Sequence, residues 1–326
     1  MSLTVAVQMD PLAGINIAGD STFALMLSAQ ARGHELFEYQ AGDLTWDGGR
    51  LHTFGTPVTV RREVGNHFTT DEPVLLDLGR DMDVVWMRQD PPFDLGYITA
   101  THLLERIQSE TLVVNDPANV RNAPEKLLVL DYARFMPPTM ITRSLGAARQ
   151  FLAQHREIVI KPLHGNGGKA IFKVGADGAN LSALIEVFNT TWPEPHMLQA
   201  FLPEVARGDK RIVLVDGEVA GAINRVPGEG EIRSNLATGG SAQKTELTDT
   251  EQEICAALGP DLKARGLVFV GIDVIGGKWL TEINVTSPTG IVAIQGFDGT
   301  DVAGLIWNAI EARVAARSAA QAPTIR

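Results

Sequence analysis

One cysteine, Cys255, stands among 326 residues, which excludes an internal disulfide framework. In the setting EQEICAALG this thiol reads as a small buried hydrophobe, and a reducing compartment is expected. Long apolar runs are missing too. Nothing approaches the roughly 18 consecutive apolar residues of a membrane span, and the start, MSLTVAVQMDP, has no basic residue ahead of its short apolar stretch. A cytoplasmic protein with no membrane attachment is expected, in which Asn284 of the triplet NVT carries no glycan. Basic residues are in deficit, 28 Lys and Arg against 39 Asp and Glu, for a formal net charge of -11. That field repels nucleic acid and anionic membranes, so an anion must be held by a local cluster of Lys and Arg. The seven histidines show no metal-ligand spacing, and no Ser-His-Asp or Cys-His arrangement is apparent, so covalent catalysis by a side chain is not indicated. There are no internal repeats. The Ala-rich end AARSAAQAPTIR is the one low-complexity stretch, expected to fray over 317–326.

What is present is enough apolar residue, 44%, for a large core and two or three domains. The first 122 residues alternate: TVAVQM, HELFEY, DVVWMR and TLVVN read as strands, STFALMLSAQARG and ITATHLLERIQSE as helices. Strands alternating with helices predict an open, mostly parallel α/β sheet. NAPEKLLVLDYARF then reads as a helix with Pro124 at its first position, stopped by Pro137-Pro138. After that the pattern becomes α+β. EIVIKPL, KAIFKV and HMLQAFLPE are strands and ALIEVFNTTW a helix, giving a small lobe over 123–202. RIVLVDGEVAGAIN is a hairpin on Asp216-Gly217 and LVFVGIDVIGGKWLTEINV one on Gly276-Gly277-Lys278, giving a larger lobe over 203–316.

In LTEINV, strict alternation puts Leu280, Glu282 and Asn284 on one face. A turn centred between Gly277 and Lys278 sets Asp273 directly across from Glu282; a turn on Gly276-Gly277 makes them diagonal neighbours, still within about 7 to 8 Å. Two carboxylates and an amide oxygen so grouped repel unless a cation sits among them. Oxygen-only donors point to a hard ion, Mg²⁺ or Mn²⁺, with positions left for phosphate and water. The plainer alternative is a solvent-facing hairpin edge.

PLHGNGGKAIF matches G-x-G-x-x-A at Gly165, Gly167 and Ala170, but no helix follows, and Ala170 stands where a P-loop needs Ser or Thr. What remains is a glycine-rich loop beside Lys161, able to offer backbone N–H groups to phosphates or simply to be a flexible hairpin. Lys126, Arg211, Arg225 and Arg233 could add to an anion site, although each alone reads as a surface charge. Arg233 sits in the polar, glycine-rich loop PGEGEIRSNLATGGS, a setting in which an Arg clamps a carboxylate or phosphate. Arg88 ends a predicted strand, where open α/β sheets bind ligands, and Asp90 could pair with it.

Taken together, MDP, MRQDPPFD, APEKLL, KPLHGNGG, QAFLP, GDKR, RSNLATGG, GIDVIG and TEINVTSP resemble the bacterial glutathione synthetase family of the ATP-grasp superfamily over nearly the whole chain. The resemblance implies an ATP-grasp fold: an N-terminal open parallel α/β domain followed by two α+β lobes enclosing ATP. It implies that Lys126, Lys161, Asp209 and Arg211 contact ATP and that Gly165, Gly167 and Gly168 form a mobile lid. Gln199, Ala200, Phe201 and Leu202 would be the connector that reads adenine. Asp273, Glu282 and Asn284 would hold Mg²⁺, with Mn²⁺ as the alternative. Arg88, Arg233, Asn235, Ser287 and Gly290 would line the peptide and glycine site, with Arg211 and Arg233 catalytic. His164 and Lys169 depart from the acid and small residue usual there, which bears on lid closure.

The implied reaction is ATP-dependent ligation of γ-glutamylcysteine to glycine through an acyl phosphate, by a homo-oligomer. Two other readings compete: an ATP-grasp ligase of another carboxylate and amine, and a non-catalytic nucleotide-binding protein on the same fold.

Overall fold

The computed structural model describes residues 2–165, 167–228, 230–231, 233–234 and 239–321. Its first sheet contains β1 (Thr4–Gln8), β2 (Glu35–Tyr39), β3 (Thr45–Asp47), β4 (Arg50–Val60), β5 (Phe68–Thr70), β6 (Val74–Asp77), β7 (Val84–Met87) and β8 (Leu112–Val114). The parallel part, β2-β1-β7-β8, is flanked by α1 (Ser21–Ala31) and α2 (Leu95–Glu105), as the strand–helix alternation predicts. Asp20 and Asp94 start these helices by accepting from Phe23 and Tyr97 N–H. The antiparallel additions β3, β5 and β6, all paired with β4, were not anticipated. β4 carries Gly55 and Pro57 in its interior, residues that argue against a strand by propensity. Tertiary contact decides otherwise: a Cβ at Gly55 would lie 2.3 Å from Leu76 Cδ1.

After α3 (Pro117–Arg121) the expected helix from Pro124 does not form. A 3-10 stretch, Leu128–Phe135, takes its place and breaks at Tyr132. The Glu125 carbonyl, which a helix would use within itself, instead accepts the Ile283 N–H at 3.0 Å and draws this segment against the third sheet.

The second sheet, in the order β11-β10-β12-β9, contains β9 (Thr139–Thr142), β10 (Ile158–Pro162), β11 (Phe172–Val174) and β12 (His196–Ala200). With α4 (Leu145–His155) and α5 (Leu181–Thr191) it closes a core around Phe151, Ile160, Ile185 and Phe188. The third sheet, in the order β15-β14-β13-β16-β17, contains β13 (Asp209–Val215), β14 (Glu218–Val226), β15 (Ser241–Lys244), β16 (Phe269–Ile275) and β17 (Trp279–Asn284). It is served by α6 (Asp249–Ala264), α7 (Ile291–Asp298) and α8 (Val302–Gln321). Asp216 and Gly217 take the positive φ that their hairpin demands. α8 runs through Gln321, past residue 316 where fraying was expected, because Ile306, Trp307, Ile310 and Val314 are buried and Trp307 Nε1 donates to the Leu25 carbonyl. Among the described residues no helix is long and apolar enough to cross a membrane.

Two stability predictions follow from this packing. α6 meets the β13–β14 turn backbone to backbone, so a Cβ at Gly259 would lie 2.3 Å from the Gly217 carbonyl oxygen. Gly259→Ala should destabilise by about 1–3 kcal/mol, measured as a lower Tm. His34, 4% exposed, accepts the Leu3 N–H at Nδ1, lies 3.1 Å from Glu311 through Nε2 and stacks edgewise on Trp307. Burial lowers its pKa, with Glu311 opposing. The unfolded imidazole takes a proton near pH 6.5 and the folded one resists it, so this contribution is full above about pH 6.5 and is lost as pH falls below it. The Tm should decline on acidification through that region, and His34→Gln should show a shallower decline.

Candidate active site

Two hairpins gather charge on one face of the third sheet. β16 and β17 pair Ile275 with Trp279 and Val274 with Leu280, then Asp273 with Glu282, Ile272 with Ile283 and Gly271 with Asn284. Thr281 is the extra residue, and its hydroxyl donates to the Asp273 carbonyl at 3.1 Å. This bulge corrects the strict alternation expected of LTEINV: Leu280 joins the core with Ile283, while Glu282 and Asn284 share the face of Asp273. β13 and β14 use the same device. Leu214 pairs with Val219 and Val213 with Gly221, so Ala220 is extra and Arg225 comes opposite Asp209. On the other side of β13, Arg211 stands opposite Asp273.

Arg211 Nε and Nη2 donate to the two Asp273 oxygens at 2.6 and 2.9 Å. Arg225 Nη2 lies 3.0 Å from Asp273 Oδ1 and 2.6 Å from Asp209 Oδ2, which also accepts from the Ser234 hydroxyl at 3.0 Å. Asn284 Nδ2 reaches Asp273 Oδ2 at 3.4 Å. Burial pushes Asp273 up, but the Arg211 and Arg225 guanidinium groups override it and hold the carboxyl well below the usual range. Asp209, with Arg225 at ion-pair distance and Arg211 farther off, is still raised to about 6 by burial, helped by the neighbouring Asp273 carboxylate.

Two lysines face this surface, one from the second sheet and one from the segment that precedes it. Lys161, 6% exposed near the end of β10, lies 3.3 Å from Glu282 Oε1. Lys126 is 3.6 Å from the same oxygen, donates to the Gly165 carbonyl at 2.6 Å and bonds Glu125. Burial opposes the charge of Glu282, yet the two lysines keep its pKa low. Gly167 and Gly168 adopt φ of 60° and 75°, and His164 stacks on Phe93 of MRQDPPFD with centroids 5.8 Å apart. On β12, Gln199 donates to Thr139 Oγ1; beyond it the Ala200 and Phe201 N–H groups bond the Pro138 and Glu157 carbonyls.

Past β17, the segment from Ser287 to Gly290 is bolted to the first sheet and α1. Arg88 Nε donates to Thr22 Oγ1 at 3.0 Å and its Nη2 to the Pro288 carbonyl at 3.1 Å. Ser287 Oγ donates to the Arg88 carbonyl, and Gly290 N–H to Ser21 Oγ. Burial lowers the Arg88 pKa to about 10. Its guanidinium is not ion-paired with Asp90, as the sequence had suggested it could be, but clamps hydroxyl and carbonyl oxygens.

A cavity of about 340 Å³ opens between these surfaces. It brings together Lys126, Lys161, Gly165, Gly167, Gly168, Gln199, Ala200, Phe201, Leu202, Asp209, Arg211, Arg233, Asp273, Glu282, Asn284, Ser287 and Gly290. Arg88 does not line it and acts from behind Pro288. Arg233 sits at the rim, ion-paired with Glu231 at 3.0 Å; Asn235 lies outside the described residues. Arg225, named from the sequence only as a possible anion-site cation, also lines the cavity, and Glu125 is a charged lining residue that sequence reasoning left out. The place of Arg225 opposite Asp209 could have been found by register counting only with the Ala220 bulge known. Glu125, next to Lys126, gave no separate signal. Asp273, Glu282 and Asn284 present three hard oxygen-bearing groups on one face, backed by cations, a donor set that fits Mg²⁺ or Mn²⁺.

Comparison with known proteins identifies the family and the fold. Residues 3–121 match the family model of the prokaryotic glutathione synthetase N-terminal domain, and residues 125–299 that of its ATP-grasp domain. The chain is 56% identical to a glutathione synthetase of Rhodopseudomonas palustris over 96% of its length and 99% of the relative's, and 57% identical to one of Bradyrhizobium diazoefficiens over 95% and 98%. Among solved structures, the D-cycloserine synthetase DcsG aligns over 95% of this chain and 99% of its own with a TM-score of 0.68 at 18% identity. The ATP-grasp ligase PsnB aligns over 96% and 99% with a TM-score of 0.64 at 20% identity. The architecture is therefore the ATP-grasp fold, and the chain belongs to the prokaryotic glutathione synthetase family.

Proposed function

We propose that the chain performs its family's reaction, the ATP-dependent ligation of γ-glutamylcysteine to glycine, in the cavity between the second and third sheets. Membership in the family makes it an ADP-forming carboxylate–amine ligase that uses ATP and small-molecule substrates. The observation that carries the roles is the cavity itself, where Lys161 of the second sheet and Lys126 of the segment before it face an acid-and-amide hairpin and two arginines of the third sheet.

A carboxylate resists attack by an amine. The cysteine carboxylate of γ-glutamylcysteine is therefore first phosphorylated by ATP; the glycine amine attacks the acyl carbon, and phosphate leaves. Lys126, Lys161 and Arg211 would hold the phosphates, Asp209 and the Gln199 to Leu202 connector the nucleoside end. Asp273, Glu282 and Asn284 would hold Mg²⁺, or Mn²⁺ in its place, which when bound supplies positive charge to the phosphates. Arg211 and Arg233 would stabilise the oxyanion of the tetrahedral intermediate. The lid glycines Gly165, Gly167 and Gly168 would keep water from the acyl phosphate. Ser287, Gly290, Arg233 and Asn235 would line the peptide and glycine side, with Arg88 shaping it from behind. A cytoplasmic homo-oligomer remains the reading that composition and resemblance support.

Purified protein given ATP, Mg²⁺, γ-glutamylcysteine and glycine should release ADP and phosphate only when both acceptor substrates are present, with glutathione identified by mass. Absence of release with this pair overturns the substrate assignment. Glu282→Gln should lower turnover by roughly 100-fold or more, as loss of several kcal/mol of charge stabilisation requires. Unchanged turnover would sink the metal assignment.

A further inference from the structure

We propose that Glu125, a residue with no assigned part in the reaction, is a positioning residue that holds Lys126 off Glu282 and so keeps that carboxylate available to the metal. The inference rests on the metal reading given above. Its basis is the competition for one ammonium group. Lys126 Nζ has three protons to donate. It bonds the Glu125 carboxylate and, at 2.6 Å, the Gly165 carbonyl, while Glu282 Oε1 stays 3.6 Å away, an ion pair without a hydrogen bond. Lys161 approaches the same Glu282 oxygen more closely, at 3.3 Å.

Glu125 is well placed to win that competition. Its backbone is fixed to the hairpin it protects, because its carbonyl accepts the Ile283 N–H at 3.0 Å, one residue from Glu282. The side chain lines the cavity and is adjacent in sequence to the lysine it holds, so the distance between them changes little with lid position. Remove the Glu125 carboxylate and the lysine, only 4% exposed, has Glu282 as its nearest remaining anion. It would swing onto Glu282 and form a buried pair that a metal ion must break before it can bind. The same swing would withdraw Lys126 from the phosphates.

The test is Mn²⁺ binding to the full-length protein, followed by electron paramagnetic resonance with ADP saturating for each variant, which reads metal affinity without turnover. Glu125→Ala should weaken Mn²⁺ binding about 10-fold, the lower end of the range for residues that orient metal ligands. Glu125→Gln, which keeps the acceptor oxygen, should fall between Glu125→Ala and the parent. In a Lys126→Met background, where no ammonium is left to swing, Glu125→Ala should change Mn²⁺ affinity by less than about 2-fold. An equal loss in both backgrounds, or no loss in the parent, overturns the proposal. Glu282→Gln separates the two claims: if it leaves Mn²⁺ affinity unchanged, the metal reading itself fails; if it weakens binding while Glu125→Ala does not, only the role of Glu125 fails.

Discussion

Asp273, held between Arg211 and Arg225, is the interaction on which the site depends. It is 3% exposed, so its charge must be matched inside the protein. Breaking a buried pair by removing one partner typically costs about 3–5 kcal/mol, because the other charge is left uncompensated. Here the matching is extended into a chain of alternating sign, Arg211, Asp273, Arg225, Asp209, laid across three neighbouring strands. Each member is neutralised by its neighbours, so moving Asp273 to the other face would leave Arg211, and moving Arg225 would leave Asp209, without its ion-pair partner.

Such a chain demands exact parity of register, and both hairpins that supply it are bulged. Strict pairing outward from the Asp216-Gly217 turn would place Ala222 opposite Arg211 and turn Arg225 away from Asp209; the extra Ala220 reverses that. Strict pairing from the Gly276-Gly277-Lys278 turn would set Asp273 against Thr281; the extra Thr281 brings Glu282 opposite. A one-residue slip exchanges the faces of a strand. The bulges thus let each turn keep its own geometry while Leu280, Ile283 and Ala222 still reach the core.

This explains what the sequence disclosed and what it did not. The strand–helix alternation of the first domain, the two hairpin turns and the residue types of the site were legible, because turn chemistry and hydrophobic period are local. The face of Leu280, the pairing of Arg225 and the non-helical course of residues 124–135 were not, because the first two turn on bulges at Thr281 and Ala220 that no residue type marks, and the third on a contact far along the chain. Glu125 is the clearest case. Its propensity favours helix, and a hydrogen bond from Ile283 overrules it. The acid beside Lys126 becomes intelligible only once β17 is in place.

Packing joins all three sheets, and charge is added to it across the cleft. The first and third sheets share buried apolar clusters, and Arg88, Ser21 and Ser287 lock their boundary with directional hydrogen bonds. The second sheet has a core of its own and adds Met197 to the shared cluster, and its Lys161 meets Glu282 across the cleft through charge. Coulomb attraction falls slowly with distance and tolerates a change of partner, whereas a packed interface does not. On the proposed roles, an arriving polyphosphate would take over Lys161 from Glu282 while the packed contacts stay as they are. On those roles the substrate side would be held by shape and directional hydrogen bonds, and the nucleotide side would add charge to its packing, which suits a ligase that must fix an acyl group while exchanging ATP for ADP.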